Sequence, residues 1–63
     1  MDFQIQYIEN GEIVDIPIYY DDIDVAINDA MYYARDFTKR IINIKTKKIV
    51  WEREVYNYPD FIK

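Results

Sequence analysis

Apolar and polar residues alternate at the start of the chain. Residues 3–7 read Phe-Gln-Ile-Gln-Tyr, which is the two-residue period of a strand with one buried face. A second stretch with the same period begins five residues later, at Glu12. Together the two stretches predict a β-hairpin over residues 1–20.

Asn10-Gly11 lies between these stretches and predicts the turn, because both residues tolerate positive φ. Pairing outward from this turn sets Ile8 opposite Ile13 and Phe3 opposite Ile18. One face of the hairpin is then apolar, and its members are Phe3, Ile5, Tyr7, Val14, Ile16 and Ile18. Pro17 has no N–H for a further neighbour, so the second strand is predicted to lie at a sheet edge.

A helix is predicted over residues 22–37. Asp21-Asp22 offers short acceptors for the helix N-cap, and Asp24 in the first turn suits the helix dipole. The apolar stripe that follows has helical spacing. It consists of Ile23, Ala26, Ile27, Ala30, Met31, Ala34 and Phe37.

A second hairpin is predicted over residues 40–55, followed by an irregular aromatic tail over residues 56–63. Isoleucines and a tryptophan flank a polar tip at Lys45–Lys48. A two-residue loop at Thr46-Lys47 would make a core set of Ile42, Ile44, Ile49 and Trp51. Pro59 opposes regular structure in the tail.

The order β-β-α-β-β predicts an α+β fold, a two-layer unit in which one helix packs on a four-stranded antiparallel sheet. The length of 63 residues gives a single domain, 1–63. Strand orders 2-1-3-4 and 2-1-4-3 both leave the second strand at an edge, and the pattern does not choose between them.

Composition restricts the chemistry. The chain contains no cysteine, histidine or serine, so thiol and serine nucleophiles and imidazole bases are missing. We therefore expect a binding protein rather than an enzyme, with no cofactor and no metal. The aspartates near residue 22 are interpreted as helix caps, since their spacing lacks the glycine of a calcium loop. The absence of cysteine, of a signal peptide and of a long apolar run favours a cytoplasmic location, in a host cell if the protein is viral.

Charge is unevenly distributed along the chain. Residues 1–36 hold nine acids and one base, whereas residues 37–63 hold three acids and seven bases. Acids on a compact body resemble duplex phosphates and steer a domain toward a basic protein. In style this resembles the small acidic phage proteins, including anti-CRISPR and anti-restriction proteins, that block enzymes acting on nucleic acid. The predicted partner-binding residues are Glu9, Glu12, Asp15, Tyr19, Tyr20, Asp22, Asp24, Asp29, Tyr32 and Asp36.

Two other functions remain open. The second hairpin is basic, with residues Lys39, Arg40, Lys45, Lys47, Lys48 and Arg53, and could bind nucleic acid, although the acidic half would repel phosphates. Alternatively, apolar residues on the sheet face away from the helix could form a homodimer. Those residues are predicted to be Ile8, Ile13, Ile41 and Val50. The alternative is that the aromatic tail folds back and covers this face, which would leave no surface for a dimer.

Overall fold

The computed structural model describes residues 1–55, and in it one helix packs on a four-stranded sheet. Strands β1 (Phe3–Glu9) and β2 (Glu12–Tyr20) precede helix α1 (Ile23–Tyr33), and strands β3 (Thr38–Asn43) and β4 (Lys48–Arg53) follow it. This order confirms the α+β prediction. All neighbours are antiparallel and the strand order is β2-β1-β3-β4, so β2 lies at an edge as Pro17 predicts. The predicted tail, 56–63, lies outside the described residues.

The first turn forms at the predicted place. Asn10 and Gly11 have φ values of 53° and 81°, the positive region that a two-residue hairpin turn requires. The predicted register holds from Glu9↔Glu12 through Gln6↔Asp15.

The register predicted for the far end of this hairpin is wrong, because β2 contains a bulge. Beyond Gln6↔Asp15 the pairing shifts by two residues, and Phe3 lies opposite Tyr20 instead of Ile18. Pro17 lies within the irregular stretch, where its missing N–H removes no ladder bond. Consequently Tyr20 takes the core position expected of Ile18, and Ile18 is 41% exposed.

The core lies between the helix and the two central strands. Ile5 of β1 and Ile41 of β3 are opposite one another and fully buried, and Ala26 and Ala30 of α1 are fully buried beside them. Small side chains on α1 let the helix approach the sheet closely. The prediction that Ile41 lies on the face away from the helix is therefore wrong.

Helix α1 is shorter than the predicted range of 22–37. It begins as expected, with the Asp22 carboxylate accepting a hydrogen bond from the backbone N–H of Asp24 at 2.8 Å. It ends at Tyr33, because the chain must turn to enter β3 at Thr38. Phe37 then packs on Tyr7 with ring centroids 5.0 Å apart, so it joins the sheet rather than the helix stripe.

The second hairpin closes through a four-residue turn, 44–47, rather than through two residues. Asn43 organises this turn, since its Oδ1 accepts hydrogen bonds from the backbone N–H groups of Lys45 and Thr46, at 2.9 and 3.1 Å. Lys47 completes it with φ of 63°.

The predicted core of this hairpin is wrong for Ile42, which follows the buried Ile41 and so faces away from the helix, and it is wrong for Ile49 because β4 contains a bulge. Trp51 lies opposite Ile41, but Ile49 lies opposite Ile42, so one extra residue separates the two pairs. Because Val50 is the inserted residue, Ile49 and Trp51 point to opposite faces of the sheet instead of to the same face. Trp51 faces the helix and packs against the core, whereas Ile49 faces away and is 47% exposed.

Candidate functional site

The sheet has an inner face, covered by α1, and an outer face on the opposite side. Cross-strand partners share a face, and successive residues alternate between faces. Ile5 and Ile41 mark the inner face because they contact the helix. Gln6 and Arg40, one residue away on each strand, therefore mark the outer face.

At the first hairpin tip, two predicted partner residues stand directly opposite one another. Glu9 and Glu12 form the last pair before the turn and are both exposed. They continue the alternation of Tyr7 and Val14, so they point to the same side of the sheet as the helix. Like charges facing each other destabilise a hairpin, and nothing in the local fold requires them.

The helix presents two tyrosines to solvent at its C-terminal end. Tyr32 and Tyr33 are 77% and 56% exposed, and their rings meet edge to face with centroids 5.1 Å apart. Tyr32 is a predicted partner residue, but sequence reasoning missed Tyr33. The helical spacing could have predicted the exposure of both tyrosines, because neither belongs to the apolar stripe of α1.

These residues come together at one end of the molecule. The Tyr7–Phe37 ring contact holds the segment after α1 against β1, two residues before Glu9. Asp36, which is exposed, immediately precedes this contact. We call this region the tyrosine end and define it by Glu9, Glu12, Tyr32, Tyr33 and Asp36. Arg35 is also exposed there, so the end combines aromatic rings with charges of both signs.

Two predicted partner residues bind each other instead of facing a partner. The Tyr20 hydroxyl donates a hydrogen bond of 2.6 Å to Oδ2 of Asp29. Tyr20 is only 8% exposed, so its assignment as a surface anchor is wrong. Burial of the ring, together with the neighbouring carboxylate, raises the pKa of this hydroxyl well above its ordinary value of 10.0. This pair joins the edge strand β2 to α1.

The remaining predicted residues are scattered. Asp22 caps α1 and Asp24 lies exposed in its first turn, at the opposite end from the hairpin tip. Asp15 and Tyr19 lie on the outer face, opposite Gln6 and Gln4 respectively. The ten predicted residues therefore do not form one continuous surface.

On the outer face, a row of polar side chains crosses three strands. Arg40 donates from Nε to Oε1 of Gln6 at 2.8 Å, and Gln6 donates from Nε2 to Oδ1 of Asp15 at 2.6 Å. The carboxylate of Asp15 is thus already hydrogen-bonded within the sheet.

The basic hairpin is less available than its composition indicates. Lys39 is buried, at 1% exposure, and its Nζ donates to the carbonyl oxygen of Arg35 at 3.3 Å. Burial, with Arg53 nearby, lowers the pKa of the Lys39 amine. Lys45 forms an ion pair with Asp2, Nζ to Oδ1, at 3.4 Å. Lys47, Lys48 and Arg53 are exposed, but Trp51 packs against the core.

Other kinds of site are not found in the described part of the chain. Residues 1–55 form no pocket and contain no group of three or more acidic side chains placed to hold a metal ion. The one helix in this range is too short to cross a membrane. Comparison with protein-family models, with curated proteins and with solved structures finds no match to this chain.

Proposed function

We propose that this domain is a protein-binding module that acts through its tyrosine end. The observation that carries the proposal is the exposed Tyr32–Tyr33 pair. Tyrosine offers a large, rigid contact area at low entropic cost, and it is enriched in the energetically dominant parts of protein interfaces. Neither ring belongs to the hydrophobic core cluster.

Charge supports a partner with a basic surface. The tyrosine end carries three exposed carboxylates, on Glu9, Glu12 and Asp36, and the exposed base Arg35; a second exposed base, Arg53, lies opposite the neighbouring Lys39. The chain as a whole has a net charge of −4. Such a distribution steers encounter with a cationic protein and gives an association that weakens with salt.

The partner we propose is a larger enzyme that acts on nucleic acid, and the proposed role is inhibition in the manner of a phage or mobile-element protein. Enzymes of this class present basic grooves for phosphates, and a small acidic domain can occupy such a groove. The proposal includes a cytoplasmic location, and it assigns no catalytic role, cofactor or metal to this chain.

Differential capture tests the proposal. The full chain is immobilised and exposed to lysate of its native host, alongside the double variant Tyr32→Ser, Tyr33→Ser and the control Tyr19→Ser. Tyr19 is 50% exposed but lies on the outer face, so it matches the targets in type and exposure. We expect the control to retain a captured protein that the double variant loses.

The captured protein then decides the inhibitor role. It should bind duplex DNA or RNA by itself, the nucleic acid should compete with the domain, and salt should weaken the association. The charge reversals Glu9→Lys and Asp36→Lys should reduce affinity about tenfold together, the scale of two rim charges at roughly 0.7 kcal/mol each. Unchanged affinity in these variants would contradict the acidic part of the proposal.

The two other functions are outcomes of the same experiment. Capture of nucleic acid instead of protein, abolished by Lys47→Glu, would favour the basic hairpin. Loss of all capture, with a dimer mass in solution, would favour a homo-oligomer.

A further inference from the structure

The outer face carries two apolar rows, one on each side of the Arg40–Gln6–Asp15 network. The first row contains Ile8 and Ile13, beside Thr38. The second contains Ile42 and Ile49, and Gln4 separates these isoleucines from Tyr19 on β2. Ile13, Tyr19 and Ile49 are 52%, 50% and 47% exposed. In residues 1–55 no element packs on this face, although α1 covers the other.

The described chain ends on this outer side. Thr38 lies opposite Ile8 and therefore points to the outer face. Its hydroxyl donates to the carbonyl oxygen of Val55 at 3.2 Å and accepts from the Val55 N–H at 3.0 Å. These two bonds hold the backbone of Val55 beside the first apolar row.

The residues that come next are suited in length and composition to this face. Eight residues, 56–63, follow Val55, and their apolar members are Tyr56, Tyr58, Phe61 and Ile62. An extended segment of this length reaches about 26–29 Å, whereas a strand as long as β1 spans about 20 Å. The segment can therefore cross both apolar rows, and Pro59 needs no backbone partner while it does so.

We propose that the outer face is the binding site for the chain's own segment 56–63, whose aromatic side chains pack on the two isoleucine rows. The Thr38–Val55 hydrogen bonds start the segment on this face. The site is thus an interaction surface distinct from the tyrosine end. This inference does not depend on the proposed function, and its test uses no partner protein.

The test is solution NMR on the full chain with labelled isoleucine methyl groups. We expect nuclear Overhauser contacts between aromatic protons of the segment and the methyl groups of Ile8, Ile13 and Ile42. The substitution Ile13→Lys should remove contacts at the first row and raise amide exchange in residues 57–62 at least tenfold. The matched control is Val25→Lys, which changes a residue of similar exposure, 48%, on the helix; it should alter neither.

Two results would overturn the inference. One is a wild-type spectrum without contacts between the segment and the outer face, with exchange in residues 57–62 unaffected by Ile13→Lys. The other is a set of nuclear Overhauser contacts to the outer face that arise only between differently labelled copies and weaken on dilution. That result would show that a second molecule, and not the chain's own segment, binds this face. The contacts in the wild-type spectrum test the inference without any substitution, so a variant that folds poorly does not prevent the test.

Discussion

The Tyr20 hydroxyl lies 2.6 Å from Oδ2 of Asp29. Tyr20 is the last residue of the edge strand β2 and Asp29 lies in the middle of α1. The hydrogen bond therefore connects the strand to the helix that follows it. The bulge around Pro17 makes the contact possible, because it brings Tyr20 into line with Phe3. A local irregularity in an edge strand thus fixes where the helix docks.

Removing this hydrogen bond should weaken the fold measurably. Tyr20→Phe keeps the ring but leaves Asp29 without its donor, and a bond to a charged group of intermediate burial contributes about 1–2 kcal/mol. Urea unfolding should show that loss in the free energy of unfolding. Tyr19→Phe, on the outer face, is the control and should change it by less than about 0.5 kcal/mol. Equal effects of the two substitutions would show that the bond is not stabilising.

The same pair predicts a loss of stability in alkali. The pKa of Tyr20 is raised in the folded state, chiefly by burial and then by Asp29. The folded protein therefore holds this proton where the unfolded chain has released it, and stability falls as pH rises above the unfolded value of 10.0. Urea unfolding between pH 9 and about 11 should show a smaller decline for Tyr20→Phe than for the wild type.

Lys39 should produce the opposite pH dependence. Burial lowers the pKa of its amine, so the charged form destabilises the folded state at neutral pH. Stability from this residue rises as pH increases from the lowered pKa toward the ordinary value of 10.5. At pH 7, Lys39→Met should raise the free energy of unfolding by about 1 kcal/mol.

The control for Lys39 is Lys48→Met, which changes an exposed lysine on β4. It should leave the free energy of unfolding at pH 7 unchanged. If Lys39→Met instead lowers stability at pH 7, the hydrogen bond to the Arg35 carbonyl outweighs the desolvation of the amine.

The core prediction concerns Ile5. This side chain is fully buried against the helix, so Ile5→Val should cost about 0.5–1.5 kcal/mol. That is a substantial share of the roughly 3–9 kcal/mol expected for a domain of this length. The matched change Ile13→Val, at a half-exposed site, should cost less than half as much by the same urea measurement.

Two turns should respond to glycine in opposite ways. Gly11 has φ of 81°, and a Cβ atom at this position would meet no other atom within 4 Å, so Gly11→Ala should cost about 1–2 kcal/mol through backbone conformation alone. Lys47 has φ of 63° without being glycine, so Lys47→Gly should stabilise by up to about 1 kcal/mol. Thermal unfolding of both variants checks the signs, and the same sign in both would contradict this account.

Much of this fold could be predicted because local signals agree with one another. Asn10-Gly11 and the alternating residues of β1 give the same register, and Asp22 caps the helix where the apolar stripe begins. The exposed glutamates at the first hairpin tip follow from the same register.

The bulges were not predictable from alternation. In β2, Pro17 is the only residue whose type signals an irregularity. In β4, nothing in the sequence distinguishes Val50, the inserted residue, from its neighbours. Alternation therefore gave the wrong face for Ile49 and left Tyr20 outside the core. Lys39 escaped prediction for a related reason, since its burial depends on how the chain leaves α1. The tyrosine end depends on the Tyr7–Phe37 contact, which joins distant parts of the chain.

Both outer strands of the sheet are bulged, and this has a consequence for behaviour at high concentration. A flat, regular edge is a template on which further chains can add strands, the route to amyloid fibres. The bulges around Pro17 and Val50 twist the two exposed borders and interrupt their backbone ladders. These irregular borders therefore offer a poor template for strand addition by a second copy of this isoleucine- and tyrosine-rich chain.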